Sequence, residues 1–196
     1  MSTLPNVLSS TAPLLNGVDS MSISIPLHVE SWDEYFLWLA TVAAIKSKDP
    51  RCPVGATIVS HDHLLLSTGF NGFARSVVDD EKSLDNPQEK FRLVCHAEQN
   101  AILNAARIGV PTMGTTIYVT KFPCLRCCNE IVQAGITRIY THDDSFWDDD
   151  PDDKDHSRKQ RVLHEAKIVV DAPYHSAFRP KRIIAPKKKP PVSVRS

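Results

Sequence analysis

Cys95-His96-Ala97-Glu98 and Pro123-Cys124-Leu125-Arg126-Cys127 are the two stretches from which the rest of this sequence is read. They hold an imidazole, two thiols in Cys-x-x-Cys spacing, and a carboxylate two residues from the imidazole. Helix formers follow each stretch, so His96 and Glu98 are placed in the first turn of one helix, and Cys124 and Cys127 in the first turn of another. At i and i+3 both sulfurs share a face. Pro123 sits just ahead of the second helix, where its missing N–H costs nothing. Two helix N-termini then converge on one point, where their dipoles favour thiolate over thiol. His96, Cys124 and Cys127 make three zinc ligands and leave the fourth position to water, the arrangement of a catalytic rather than a structural site. A structural site would need a fourth Cys or His. Cys95 adjoins His96 and points elsewhere, and Cys128 is rotated about 100° off the ligand face. Neither a structural site nor a dithiol redox motif has a use for Glu98. Zinc brings the pKa of a bound water to about 7, and Glu98 is the group placed to move its protons.

Outward from these stretches, Ser31-Trp32-Asp33-Glu34 reads as a capping box. It opens an apolar helix to about residue 46, with Tyr35, Leu37, Trp38, Val42 and Ile45 along its stripe. Residues 55–60 and 64–70 are strands joined by a His61-Asp62-His63 turn, hence an antiparallel hairpin. Residues 71–92 are polar and without period, and a long loop is expected there. Further helices are expected over 96–108, 124–134 and 156–166, and strands over 115–120, 138–141 and 167–170. Gly135 closes the helix that begins at Cys124. The order α-β-β-α-β-α-β-α-β predicts an α/β domain in three layers, α/β/α, around a central mixed five-stranded sheet.

The 196 residues suffice for one well-packed domain with tails. Lys plus Arg and Asp plus Glu number 23 each, so no net field draws the chain to nucleic acid or a membrane. The charge is unevenly spread, with eight aspartates and one lysine in residues 142–155 and seven basic residues with no acid in 179–196. Five cysteines, an odd number that includes a Cys-x-x-Cys, suit a reducing compartment. No apolar run approaches the roughly 18 residues of a membrane helix, and residues 1–27 have neither a basic n-region nor an apolar h-region. A cytoplasmic protein with no membrane or nucleic-acid partner is expected, in three parts. These are a flexible leader over 1–27, in which Met21 is an alternative start, a zinc-dependent catalytic domain over 28–171, and a basic, proline-rich disordered tail over 172–196.

The pattern His-x-Glu … Pro-Cys-x-x-Cys resembles that of the zinc-dependent deaminases. Its flanks narrow the resemblance to the deoxycytidylate (dCMP) deaminases, over roughly residues 31–170. They read Val54-Gly55-Ala56, Gly69-Phe70-Asn71-Gly72-Phe73, Cys95-His96-Ala97-Glu98-Gln99-Asn100-Ala101-Ile102, Ile117-Tyr118-Val119-Thr120, Phe122-Pro123-Cys124 and Gln133-Ala134-Gly135-Ile136. The resemblance implies a cytidine-deaminase-like fold and the hydrolysis of dCMP to dUMP and ammonia, which supplies dUMP for thymidylate synthesis. Rival substrates are CMP, dCTP, cytosine and guanine, and more distantly nucleic acid. It implies one catalytic Zn2+ ion, Glu98 as proton carrier, and a substrate pocket of Asn71, Ala97, Phe122 and Pro123, with Asn71 on the sugar and Phe122 along the base. It further implies a homo-oligomer, hexamer or dimer, and a dCTP or dTTP effector site with Mg2+ involving Gly69, Phe70, Gly72 and Arg107. The chain departs from the family's G-Y-N-G-x-P block at Phe70 and Ala74, where the effector is expected. Where the family often has a tyrosine near the substrate phosphate, this chain reads Asp144-Ser145-Phe146-Trp147-Asp148, whose charge would repel a phosphate if it faced the pocket.

Overall fold

The computed structural model describes residues 28–78, 83, 85–142 and 155–172. The leader, the acidic stretch 143–154 with Phe146 and Trp147, and the tail from 173 lie outside the described residues, as do the expectations for them.

The chain runs α1 (Trp32–Ala44), β1 (Gly55–Val59), β2 (Leu65–Phe70), β3 (Gly72–Phe73), α2 (Pro87–Leu93), β4 (Val94–Cys95), α3 (Ala97–Arg107), β5 (Thr116–Val119), α4 (Leu125–Gln133), β6 (Arg138–Thr141), α5 (His156–Glu165) and β7 (Val169–Asp171). One mixed sheet has the order β2-β1-β5-β6-β7, antiparallel across β2, β1 and β5 and parallel across β5, β6 and β7. Side chains alternate along the strands and so divide the core in two. Ala56, Ile58, Ile117, Val119 and Ile139 pack with Ala97, Ala101, Ile131 and Leu163 under α3, α4 and α5. Val59, Tyr118 and Tyr140 meet Phe36, Leu37 and Ala40 of α1 on the other face. This is the three-layer arrangement expected. No helix among the described residues is long and apolar enough to cross a membrane.

Three local features differ from the sequence expectation. Ser31 caps α1 by accepting from the Glu34 N–H at 3.1 Å, but the Glu34 carboxylate reaches back to the Glu30 N–H at 3.0 Å rather than to that of Ser31. The buried face of α1 is Phe36, Leu37, Ala40 and Ala44, whereas Tyr35, Val42 and Ile45 of the apolar stripe are exposed. Gly55 is the reason. A Cβ there would lie 1.9 Å from the Ala40 carbonyl oxygen, so α1 rests on the β1 backbone and alanines face that contact. The third difference is the stretch 71–92, which is not a plain loop. β3 pairs with β4, and α2 begins where the Asn86 side chain accepts from the Gln88 N–H at 3.0 Å, with Pro87 in the first turn.

Arg138 ties the α1 layer to the sheet. It donates to both Asp33 carboxylate oxygens at 2.7 and 2.8 Å and to Asp171 at 2.6 Å, and the Tyr118 hydroxyl donates to Asp33 at 2.7 Å. The Arg138 hydrogen bond holds the Asp33 carboxyl below its ordinary range against the opposing effect of burial. A depressed folded pKa stabilises above the unfolded value of 3.8 and ceases to do so as pH falls through the lower folded value. Arg138→Met is therefore expected to cost about 1–2 kcal/mol at neutral pH, since the groups are partly exposed, and clearly less at about pH 3. Urea melts at the two pH values check this; an equal loss at both would place the stabilisation elsewhere.

Candidate active site

β5 ends at Val119, and the chain continues through Lys121, Phe122 and Pro123 to α4. β1 begins at the same end of the sheet, because Ala56 pairs with Val119 and the Thr120 N–H donates to the Gly55 carbonyl at 3.0 Å. The segment 49–54 before β1 and Asn71 after β2 gather there too. The N-terminus of α3 reaches this end by packing on β2, where Gly69 leaves no space: a Cβ would lie 2.2 Å from the Ala97 carbonyl oxygen.

His96 and Cys124 occupy the N-cap positions of α3 and α4, one residue ahead of the helices proper. Both have extended backbone, and neither side chain caps its helix. A Ser, Thr, Asp or Asn cap would stabilise each helix by about 1 kcal/mol; here the two side chains are left for another use. Cys127 follows in the first turn of α4 and is buried. His96 Nδ1 lies 3.5 Å from Cys124 Sγ and 3.4 Å from Cys127 Sγ, and the three donor atoms fall within 4.8 Å of one another. Tetrahedral zinc, with bonds of about 2.0–2.3 Å, separates N and S donors by about 3.5 Å, so the group fits the ion without rearrangement. No other such group of His, Cys, Asp or Glu occurs among the described residues. Cys128 is turned away, its Sγ 3.7 Å from the Pro123 carbonyl oxygen, and His63 stacks on Trp32.

The charges of the group also suit a cation. The hydrogen bond from Cys127, opposed by burial and assisted by His96, draws Cys124 down to about 4. The same hydrogen bond, with burial, pushes Cys127 above the ordinary thiol range. The pair holds one negative charge and shares one proton, which a divalent ion displaces on binding. Glu98, in the first turn of α3, is 4% exposed and borders the same cavity as His96 and Cys124. Burial lifts its carboxyl to about 7, and a dication beside it would favour the carboxylate.

The cavity has a volume of about 350 Å³. Besides the expected Asn71, Ala97 and Phe122, its walls include Asp49, Arg51, Lys90 and Lys121, which the sequence reading missed. Asp49 organises one wall. It is 6% exposed, accepts from the N–H groups of Arg51 and Cys52 at 3.0 and 3.2 Å and from Asn71 Nδ2 at 3.2 Å, and pairs with Lys90 of α2. Burial alone would raise its carboxyl, but Lys90 and the two backbone donors outweigh it and keep it below the ordinary range. Asn71 Oδ1 accepts from the Val54 N–H at 2.8 Å, and Nδ2 also donates to the Cys52 carbonyl at 2.9 Å. Both amide hydrogens are therefore committed, and one Oδ1 lone pair remains for a ligand. Pro123 is buried and does not line the cavity.

Of the four residues expected near an effector, Gly69, Phe70 and Gly72 lie in one short stretch, where a Cβ at Gly72 would meet the Phe70 ring at 3.7 Å. Gly69 is filled by α3. Phe70 is 38% exposed, and its carbonyl accepts from Asn100 Nδ2 at 2.7 Å. Gly72 lies in β3, whereas Arg107 is exposed at the far end of α3, about 15 Å along the axis from Ala97.

A three-layer fold that converges two helix N-termini on a His/Cys/Cys group beside a buried glutamate is the architecture of the zinc-dependent deaminases. Residues 30–143 match the family described as the cytidine and deoxycytidylate deaminase zinc-binding region. ComE operon protein 2 of Bacillus subtilis (strain 168) is 38% identical over 143 residues, covering 72% of this chain and 70% of that protein. Deoxycytidylate deaminase of Homo sapiens is 39% identical over 127 residues, covering 61% of this chain and 68% of that one. The crystal structure of dCMP deaminase from the cyanophage S-TIM5 in complex with dCMP and dUMP superposes with a TM-score of 0.58 at 25% identity, over 74% of this chain and 100% of that one. The chain belongs to the cytidine and deoxycytidylate deaminase family.

Proposed function

We propose that this chain hydrolyses dCMP to dUMP and ammonia. The observation that carries this reading is the composition of the cavity, with a buried carboxylic acid and a metal-fitting group beside the cationic side chains of Arg51, Lys90 and Lys121. A pocket for a neutral base has no need of such cations, whereas a 5′-phosphate is best met by charge-assisted hydrogen bonds from them. Lys90 is engaged by Asp49, and one Arg51 guanidinium nitrogen donates to the Asp85 carbonyl at 3.1 Å, so Lys121 and the remaining donors of Arg51 are the first candidates. The relatives named deoxycytidylate deaminase, and the solved relative holding dCMP and dUMP, support the same substrate.

In this reading His96, Cys124 and Cys127 hold Zn2+. When bound, zinc supplies Lewis acidity that makes a water molecule acidic near neutral pH. Glu98 takes a proton from the attacking water and delivers it to N3 of the cytosine ring as C4 is attacked; it then takes the second proton, from the new C4 hydroxyl, and passes it to the amino group, which departs as ammonia while the C4 carbonyl forms. Its burial keeps bulk solvent from competing for these transfers. Phe122 lies along the base, Ala97 packs beside it, and Pro123 fixes the turn into α4. Asn71 accepts from a sugar hydroxyl through its remaining lone pair. The dUMP produced feeds thymidylate synthesis in a cytoplasmic setting that keeps the thiols reduced. The reading includes a homo-oligomer, hexamer or dimer, and control by dCTP or dTTP with Mg2+ through Phe70, Gly72 and Arg107, with Gly69 shaping the site.

The test is ammonia release by the purified zinc-loaded protein on dCMP, CMP, dCTP, deoxycytidine, cytosine, guanine and single-stranded DNA, each with and without dCTP and magnesium. Turnover of dCMP far above that of deoxycytidine is expected; equal turnover of the two, or preference for a free base, overturns the phosphate assignment. Arg51→Met is expected to raise KM for dCMP about tenfold, the loss of one charge-assisted hydrogen bond, and to leave deoxycytidine turnover nearly unchanged. Equal effects on both substrates would remove Arg51 from the phosphate.

A further inference from the structure

We propose that Cys52 and Lys121 form an oxidation-sensitive pair in the wall of the cavity, which peroxide closes into a covalent sulfur–nitrogen cross-link. Lys121 Nζ lies 3.7 Å from Cys52 Sγ, although the residues are 69 positions apart in the chain. Both border the cavity. Each is held from behind. The Cys52 N–H donates to Asp49 Oδ1 at 3.2 Å and its carbonyl accepts from Asn71 Nδ2 at 2.9 Å, while Lys121 precedes the buried Phe122. The fold thus fixes the two backbones and leaves the side chains to meet. Cys52 is half-buried and Lys121 exposed, so a small oxidant can reach the sulfur and the flexible lysine can close the remaining distance.

The chemistry balances with one equivalent of peroxide. The Cys52 thiol is oxidised to a sulfenic acid while peroxide is reduced, and one water leaves. The Lys121 amine, having given its extra proton to solvent, attacks that sulfur; the S–N bond forms and the sulfenic oxygen leaves as a second water. Sulfenic acids condense with a backbone nitrogen in this way, and a free amine is a stronger nucleophile than an amide. Sulfur has lost two electrons, and the cross-linked chain is two hydrogens lighter. A thiol reductant attacks the sulfur of the S–N bond and releases the amine, and a second thiol restores Cys52. The product removes a cation from the wall and bridges the segment before β1 to the segment after β5. Its effect on turnover rests on the proposed nucleotide reading, but its formation does not.

The experiment uses the full chain loaded with zinc, treated with near-stoichiometric hydrogen peroxide at mildly alkaline pH, digested and analysed by mass spectrometry. A linked pair of peptides containing Cys52 and Lys121, two hydrogens lighter than their sum and separated by dithiothreitol, is expected. It should be absent from Cys52→Ser and from Lys121→Arg, which keeps the charge but lacks an amine nucleophile. Peroxide inactivation of dCMP turnover, measured against each protein's own unoxidised activity, should be at least fivefold slower in Cys52→Ser. Oxidation of Cys52 to sulfinic or sulfonic acid without a linked peptide overturns the proposal. So does a linked peptide that forms equally in urea, since the fold then has no part in it. An absence of dCMP turnover with the cross-link present overturns the substrate reading alone.

Discussion

Glu98→Gln is expected to lower kcat for dCMP by about 10⁴-fold, while zinc content and the melting midpoint stay at wild-type values. The substitution keeps the shape of a side chain that is 4% exposed, so no cavity opens. It also removes a group that burial already resists ionising, with the carboxyl lifted to about 7. An amide in its place has no charge to desolvate, and the stability is expected to hold or rise slightly. What is lost is the ability to accept a proton from water and return it. The three zinc donors sit at the helix ends rather than on Glu98, so metal binding is a separate readout. Zinc measured by atomic emission, dUMP binding by calorimetry and ammonia release together separate the roles. Full turnover in Glu98→Gln would sink the mechanism. A variant that lost its zinc along with its activity would instead make Glu98 part of the metal site.

The parts of this molecule legible in the sequence are those whose cause is local. The N-terminal halves of α3 and α4 and the short apolar runs of β5 and β6 depend on neighbours within a few residues, so local pattern reveals them; His96 stands 28 and 31 residues from Cys124 and Cys127, and the group is legible through the motif it resembles. Even there the placement shifts by one, with His96 and Cys124 as caps rather than first-turn residues. The α1 face was hidden because Gly55 demands small residues opposite it, and alanine scarcely registers in an apolar period. α2 was hidden because it buries nothing; only Asn86-Pro87, a cap followed by a first-turn proline, announces it. Asp49, Lys90 and Lys121 come to the cavity from three distant segments, and no spacing rule joins them. Their assembly follows from the sheet order, which places the start of β1 beside the end of β5.

Gly69→Ala is expected to lower stability by about 3 kcal/mol, the upper end of what overpacking a tight contact costs, and to weaken zinc binding at least tenfold. An added Cβ would lie 2.2 Å from the Ala97 carbonyl oxygen, 2.4 Å from the Ala101 nitrogen and 3.0 Å from the Ala101 Cα. All three are backbone atoms of α3, so no side chain can rotate aside and the helix itself must lift from β2. Three further contacts resist that movement. Ser67 Oγ donates to the Ala101 carbonyl at 2.7 Å, Asn100 Nδ2 to that of Phe70 at 2.7 Å, and Asn104 Nδ2 to that of Thr68 at 2.9 Å. The N-terminus of the displaced helix carries His96 and Glu98, so strain at β2 reaches the metal group and the proton carrier together. Gly72→Ala is the comparison, because a Cβ there meets only the Phe70 ring, at 3.7 and 3.9 Å, and it is expected to melt like the wild type. The contrast decides what Gly69 is for. If Gly69 contacts an effector nucleotide and nothing more, Gly69→Ala will melt normally, keep its basal turnover and lose only its response to dCTP. If the close approach of α3 is what requires glycine, the melting midpoint and the zinc affinity fall before any effector is added.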